Sequence, residues 1–156
     1  MASTYSTSLK LELIGNGDQP GTWGTTTNTN LGTLLEQAIT GVRSITMANV
    51  DYTLTNLNGI SDEARNAVLV IGGTNSAIRD VIAPTVNKVY IISNQTTGGY
   101  AIRIKTASGV AVSIPNGTVQ IVYCNSTDFF LGSVQQTATP ILNHSGTTIN
   151  VPTINI

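Results

Sequence analysis

Residues 100–123 carry the clearest structural pattern in the chain: Tyr-Ala-Ile-Arg-Ile-Lys-Thr-Ala-Ser-Gly-Val-Ala-Val-Ser-Ile-Pro-Asn-Gly-Thr-Val-Gln-Ile-Val-Tyr. Three short runs within it alternate apolar with polar side chains, so that each run has one apolar face, as a half-buried β-strand does. Ser108-Gly109 and Asn116-Gly117 separate the runs, and Asn-Gly is the strongest two-residue signal for a β-hairpin. The pattern predicts an antiparallel meander of hairpins.

The same period of two extends over most of the remaining chain. Residues 42–47 and 52–57 are predicted to be short strands, and residues 67–71 begin the main sheet region. Residues 58–66 are predicted to form a loop with one helical turn. Because turn signals recur about every ten residues, we predict a mainly β fold, an antiparallel β-sandwich or small barrel, over residues 42–134.

One short N-terminal helix is predicted before this module. Asn28 or Asn30 can cap its start and Gly41 its end. Residues 9–14, which alternate apolar with charged side chains, are predicted to form a half-exposed strand ahead of it. We expect residues 1–41 to serve in assembly or attachment. The apolar residues of the helix fall on one stripe at helical spacing: Leu31, Leu34, Leu35, Ala38, Ile39 and Val42.

Trp23 is the single tryptophan, and it lies in the glycine-flanked segment Gly21-Thr-Trp-Gly24. Two roles are open for its ring: a platform that stacks on a ligand, or an anchor that pins a loop to the core. An isolated tryptophan between turns favours the anchor.

Residues 135–156 are predicted to form an extended C-terminal tail. Its one charge-capable side chain is His144, whereas a solvated disordered tail normally carries many charges. Apolar residues end it, among them Ile149, Val151, Ile154 and Ile156. We therefore expect the tail to pack against another subunit or a neighbouring protein.

Charged residues make up only 10% of the chain, where about 25% is typical, and the net charge is −1. The basic residues are dispersed, so we expect no binding to nucleic acid or to anionic membranes. Threonine, serine, asparagine and glycine replace the missing charge. Surfaces of this kind are often covered by copies of the same protein, so the composition predicts an oligomer.

The N-terminus has neither a basic nor an apolar signal region, so we expect no signal peptide. The longest apolar run, residues 67–71, is far shorter than the roughly 20 residues that a membrane helix needs. Membrane insertion is not expected.

Few residue types suited to catalysis are present. His144 is the one histidine, which disfavours a serine-hydrolase triad, and Cys124 is the one cysteine, predicted to be packed and unreactive. A glycosidase that pairs Asp80 with Asp128 is an alternative, but an aromatic content of 5% leaves few rings to stack on sugars. We predict that the chain is not an enzyme and has no metal or cofactor.

Two segments resemble parts of known virion proteins. Asn16-Gly-Asp-Gln-Pro-Gly-Thr-Trp-Gly-Thr-Thr-Thr-Asn-Thr-Asn30, followed by Leu34-Leu-Glu-Gln-Ala38, resembles a segment that recurs in tail-fibre and related structural proteins of tailed bacteriophages, particularly marine ones. The second begins at Ser61-Asp-Glu-Ala-Arg-Asn-Ala-Val-Leu-Val70 and continues through Ile114-Pro-Asn-Gly117 to Val122-Tyr-Cys-Asn125. It is similar to the β-rich module that follows the first segment in those fibres.

The resemblance implies a virion structural protein, made in the host cytoplasm, that acts by assembly. A homotrimer is the implied state, with other tail or capsid proteins as partners. Fibres of this kind are often several times longer and carry host-binding domains beyond the module. The chain therefore suits a short tail fibre or an adaptor, with a capsid-surface decoration protein as one alternative. A lectin-like tip that recognises host-surface glycan through Trp23 or the tyrosines is another. The residues expected to serve assembly are Gly21, Trp23, Gly24, Asn28, Leu31, Leu34, Leu35, Ile39, Ile149, Val151, Ile154 and Ile156.

Overall fold

The computed structural model describes residues 3–132, so the predicted tail with His144 lies outside the described residues. An N-terminal hairpin and a helix precede two stacked sheets. The elements are β1 (Thr4–Tyr5), β2 (Glu12–Leu13), α1 (Trp23–Thr29), a π-helical segment (Asn30–Leu35), α2 (Glu36–Thr40), β3 (Val42–Met47), β4 (Tyr52–Thr53), β5 (Val68–Gly73), β6 (Arg79–Ile82), β7 (Asn87–Asn94), β8 (Ile102–Lys105), β9 (Val112–Ile114), β10 (Val119–Asn125) and β11 (Phe129–Leu131).

The two large sheets form a sandwich. One has five strands in the order β11-β10-β7-β5-β3, and the other has four in the order β4-β6-β8-β9. Side chains from both sheets meet in one core, in which the rings of Tyr90 and Phe129 lie 6.0 Å apart between centroids. The predicted mainly β class, the sandwich and the short N-terminal helix are confirmed, and the sheets do not close into a barrel.

Strand pairing differs from the predicted antiparallel meander. β3, β5 and β7 run parallel in one sheet, and β4, β6 and β8 run parallel in the other. The chain therefore winds through three stacked coils, each with one strand in each sheet. Register partners of the second and third coils lie 23 positions apart in both sheets, Val68 with Ile91 and Arg79 with Ile102. Within the two large sheets, antiparallel hairpins follow the coils, as β8 with β9 and β10 with β11.

The Asn116-Gly117 turn shows why the meander was wrong. It connects β9 in the four-stranded sheet to β10 in the five-stranded sheet, so its two flanking strands do not pair with each other. Gly117 has a φ of 73°, which suits glycine, and the Asn116 amide donates to the carbonyl of Thr96. Alternation of apolar and polar residues indicates which side chains of a strand face the core. It does not indicate which strand is the hydrogen-bonded neighbour, because the apolar face is the same with any neighbour.

The loop between β4 and β5 contains one hydrogen-bonded turn, in which the N–H of Asn66 donates to the carbonyl of Glu63, and it buries a polar network. Asp62 and Arg65 form an ion pair at 3.1 Å with side chains 1% and 2% exposed. The Asp62 carboxylate also accepts hydrogen bonds from the backbone N–H groups of Leu57 (2.8 Å) and Arg65 (2.7 Å). The Arg65 guanidinium donates in addition to the carbonyls of Leu57 and Ile60. Much of the Ser61–Val70 segment is therefore a buried structural element.

Asn94, fully buried at the end of β7, connects the two sheets. Its amide nitrogen donates to the carbonyls of Tyr100 (3.2 Å) and Ile114 (3.0 Å). Its amide oxygen accepts from the backbone N–H (3.1 Å) and the hydroxyl (2.7 Å) of Thr96. One side chain thus satisfies four polar groups at the turn from one sheet to the other.

The helix begins earlier than predicted. Trp23 is its first residue and Thr22 its N-cap, so neither Asn28 nor Asn30 caps its start, and Asn30 is the C-cap of α1. The Asn30 side chain instead pairs with the backbone of Glu12, accepting from its N–H (3.1 Å) and donating to its carbonyl (2.7 Å). The predicted end at Gly41 is confirmed, where a Cβ atom would lie 2.3 Å from the carbonyl oxygen of Gln37.

Lys88 on β7 makes stability depend on pH. Its Nζ lies 4.9 Å from the centroid of the Tyr90 ring, and burial lowers the pKa of Lys88 to about 8, against the attraction of Asp62. The folded chain therefore releases this proton near pH 8, whereas the unfolded chain holds it up to the ordinary value of 10.5. Since the unfolded state binds more protons in that window, the Lys88 contribution to stability rises with pH above about 8.

We expect Lys88→Met to abolish that rise and to stabilise the protein at pH 7 by about 1–2 kcal/mol, a value discounted for the partial exposure of the side chain. Urea unfolding at pH 7, 8 and 9 measures both effects. Burial also raises the pKa of the Cys124 thiol, which opposes the rise at the alkaline end, so the comparison is between variant and parent at each pH. Lys105→Met, at an outward position of β8, is the matched control. Equal pH slopes for the Lys88 variant and the parent would contradict the assignment.

Candidate assembly surface

The outward side of the five-stranded sheet is apolar. Strand register aligns Val42, Val68, Ile91 and Ile121 in one row across four adjacent strands. Val42 is 63% exposed and Ile121 is 50% exposed. We call this surface the outer face, and define it by Val42, Val68, Val70, Val89, Ile91, Val119, Ile121, Tyr123 and Phe130.

Aromatic side chains extend the outer face toward β11. Val89 is the register partner of Tyr123, which in turn partners Phe130. The rings of Tyr123 and Phe130 stack at 5.1 Å with an angle of 19° between their planes. Such flat, stiff rings contribute large contact areas at low cost in conformational entropy.

The outer face carries no charge among the described residues. The other outward positions of its strands hold Ser44, Thr46, Asn87, Ser93 and Asn125, which are small or neutral polar residues. An apolar sheet surface without charges has no electrostatic barrier to a second sheet, which packs on such a face at about 10 Å. Large contiguous exposed apolar patches mark sites of protein contact.

Sequence reasoning missed the outer face although a signal for it exists. Residues 68–71 and 89–92 are apolar at consecutive positions, Val-Leu-Val-Ile and Val-Tyr-Ile-Ile. In a strand with one solvent-exposed face, apolar and polar side chains alternate, whereas a strand covered on both faces has apolar side chains throughout. Among the described residues, the inward side is covered by the core residues Leu69, Ile71, Tyr90 and Ile92, whereas the outward Val68, Val70 and Ile91 are half-buried.

Seven of the twelve residues expected to serve assembly lie on the helical segment, and four of these seven are exposed. Trp23, Leu31 and Ile39 are 60%, 57% and 67% exposed, whereas Leu34 is fully buried. Leu35 and Gly24 are half-buried, and Gly21 and Asn28 are exposed. Ile149, Val151, Ile154 and Ile156 lie outside the described residues.

The interpretation of Trp23 as an anchor to the core is wrong. Its ring is at the start of α1, a helix without a buried side chain, and is mostly exposed to solvent. The prediction that the apolar residues form one stripe assumes a regular helix with about 3.6 residues per turn. The π-helical segment interrupts that regularity, so residues before and after it are rotated differently about the helix axis than predicted.

Groups considered for chemistry are engaged in structural contacts. Arg103 Nε lies 2.6 Å from Asp80 Oδ1, and the Asp128 carboxylate accepts from the N–H of Val110 at 2.7 Å. Burial alone would raise the pKa of Glu63, but hydrogen bonds from Thr55 and Tyr52 hold it below its usual range. Within residues 3–132, no three histidine, cysteine, aspartate or glutamate side chains converge as metal ligands do.

No helix in the described part of the chain combines the length and apolarity required to cross a membrane. Searches against protein-family models, curated proteins and solved structures gave no match to this chain.

Proposed function

We propose that this chain is a non-enzymatic structural module of a tailed-phage virion that acts by self-association through its outer face. The uncharged, exposed apolar surface of the five-stranded sheet is the observation that carries the proposal. The low charge of the whole chain supports it, because few charged groups oppose close contact between copies. The phage setting rests on the resemblance of the Asn16–Asn30 and Ser61–Val70 segments to tail-fibre proteins.

The driving force is burial of apolar area. Each square ångström of apolar surface removed from water contributes about 25 cal/mol, and a specific interface buries on the order of 800 Å² per partner. Single side chains such as Ile121 and Phe130 therefore contribute on the order of 1 kcal/mol each when covered. Several of them acting together offset the loss of rotational and translational freedom on association.

Within the virion, a short fibre or an adaptor that seats a longer one fits a compact module of this kind, and a capsid-surface position is the alternative. We propose a homotrimer as the assembled state. Sedimentation of the purified chain then gives about three times the monomer mass of 16.3 kDa. Electron microscopy of virions with labelled protein distinguishes a tail location from a capsid location.

We expect Ile121→Lys to weaken self-association at least thirtyfold, a loss of about 2 kcal/mol, because it places a charge in a surface that is desolvated in the assembly. Sedimentation velocity over a range of concentrations measures the change. Ser113→Lys places the same charge on the exposed outward side of β9 in the other sheet and should leave association unchanged. A parent chain that sediments as a monomer at all concentrations would overturn the proposal.

The exposed ring of Trp23 favours a second function, a lectin-like surface on which a host glycan stacks. Glycan-array binding that is lost in Trp23→Ala, with association unaltered, would establish that function.

A further inference from the structure

Three asparagine residues of the chain are followed directly by glycine, in the pairs Asn16-Gly17, Asn58-Gly59 and Asn116-Gly117. An asparagine in such a pair can modify itself, because the backbone nitrogen of the next residue can attack the carbonyl carbon of the side-chain amide. Glycine permits this attack most readily, since it has no Cβ atom to hinder the approach. The dipeptide is the same in all three places, so its surroundings decide which pair is reactive.

Backbone conformation does not distinguish the three pairs. The φ angles of their glycines are 77° at Gly17, 68° at Gly59 and 73° at Gly117. All three lie in the left-handed region, which glycine adopts at no steric cost. Any difference in reactivity must therefore come from hydrogen bonding and exposure.

Both reacting groups of the Asn116-Gly117 pair are held in place. The Gly117 N–H donates to the carbonyl of Asn94 at 2.9 Å. The half-buried Asn116 amide donates to the carbonyl and to the hydroxyl of Thr96. The attacking nitrogen and the amide carbon would have to turn toward each other, which would break these contacts. The fold therefore opposes the reaction at this pair.

One reacting group of the Asn58-Gly59 pair is held. The Gly59 N–H donates to the carbonyl of Lys10 at 2.8 Å. The Asn58 side chain is exposed. Attack at this pair requires the loss of one hydrogen bond, so its protection should be partial.

The Asn16-Gly17 pair forms the exposed middle of a turn that its flanking residues close. The N–H of Asp18 donates to the carbonyl of Gly15 at 3.1 Å, a bond that uses neither reacting group. Both residues of the pair are exposed. Among the described residues, neither the Gly17 N–H nor the Asn16 amide has a hydrogen-bond partner. The nitrogen and the amide can therefore meet without loss of a contact.

We infer that Asn16 is a site of spontaneous deamidation in the folded protein, and that the fold protects Asn58 in part and Asn116 strongly. The Gly17 nitrogen bonds to the carbonyl carbon of the Asn16 side chain, and the carbon–nitrogen bond of the amide breaks. Ammonia leaves with the proton that the Gly17 nitrogen gives up. Water then opens the five-membered imide at either carbonyl, which yields aspartate or isoaspartate. The product carries one new negative charge.

The modified residue lies between β2 and α1, close to the contacts that join them. The side-chain amide of Gln19 donates to Glu12 Oε1 at 2.8 Å, and its backbone carbonyl accepts from the N–H of Trp23 at 3.0 Å. Isoaspartate adds one carbon atom to the main chain just before Gln19. Deamidation therefore changes both the charge and the length of the main chain where the helix is attached to the N-terminal hairpin.

Incubation of the full-length protein in neutral buffer tests the inference. A more acidic form should accumulate, which ion-exchange chromatography separates and peptide mass spectrometry assigns to residue 16. The same measurement in urea gives the rate at each site without the fold, so the ratio of unfolded to folded rates measures protection. We expect a ratio near one for Asn16, about fivefold for Asn58 and about tenfold or more for Asn116, because each hydrogen bond that must break raises the barrier.

Two variants control for the assignment. Asn16→Gln should remove the first acidic form, because glutamine would have to close a less favourable six-membered ring. Asn58→Gln makes the same change at another exposed asparagine and should leave that form in place. Equal protection of the three sites would overturn the inference. A first acidic form that maps to Asn58 or Asn116 would do the same.

Discussion

Asp62→Ala should lower the free energy of unfolding by about 3–5 kcal/mol, the range found when one partner of a buried ion pair is removed. The variant leaves the Arg65 guanidinium, in a residue only 3% exposed, without its carboxylate partner. It also removes the acceptor for the backbone N–H groups of Leu57 and Arg65. The loss combines an uncompensated buried charge with two unsatisfied donors.

Urea unfolding of two further variants tests this explanation. Asp62→Asn keeps the shape and the hydrogen-bonding oxygen but removes the charge, and we expect an intermediate loss. In the double variant Asp62→Leu/Arg65→Met, no charge is left unpaired, so we expect a smaller loss than in Asp62→Ala. Glu36→Ala, at an exposed position of α2, is the control for removal of a carboxylate. A loss below 1 kcal/mol for Asp62→Ala would show that Arg65 finds another partner.

Asn94→Leu should lower the free energy of unfolding by about 3 kcal/mol or more. Leucine has a similar size but cannot replace any of the four hydrogen bonds that the amide makes to Tyr100, Thr96 and Ile114. Each buried polar group left without a partner costs about 1–3 kcal/mol. In a chain of this length the expected fall in Tm is about 10 °C.

Thermal unfolding followed by circular dichroism measures that fall. Asn87→Leu is the matched control, because it makes the same change on the same strand at an exposed outward position. If Asn87→Leu and Asn94→Leu shift Tm equally, the role assigned to the buried amide is wrong.

Local patterns in the sequence predicted the strands better than their arrangement. Residues 42–47 were predicted to be a strand, and β3 spans those residues. Asn49, which has a φ of 60°, follows the end of β3 in a left-handed conformation that the residues of β3 do not adopt. Pairing could not be predicted the same way, because the parallel contact of β5 with β7 joins residues 23 positions apart. No pattern within a short stretch of sequence indicates a contact between residues so far apart.

The burial of the polar loop before β5 could not be predicted from the sequence, for a related reason. This loop has a polar composition that usually indicates exposure to solvent, with the charged residues Asp62, Glu63 and Arg65. Only their mutual geometry, with Asp62 and Arg65 paired at 3.1 Å, makes burial possible.

The candidate assembly surface could be predicted only in part from the sequence. Accessible assembly residues were expected on the helix, but the outer face needed the consecutive apolar residues 68–71 to be interpreted as a strand covered on both sides.

The parallel coils have a consequence for how this module can change in length. The second coil contacts the first on one side and the third on the other, through the same kind of ladder in each sheet. A unit with equivalent upper and lower contacts can be duplicated or deleted as a whole, and the strands on either side re-form the same pairs. β10, which runs back along β7, terminates the series. Related proteins with this architecture should therefore differ in height by whole coils, while the helix at one end and the reversed strands at the other remain unchanged.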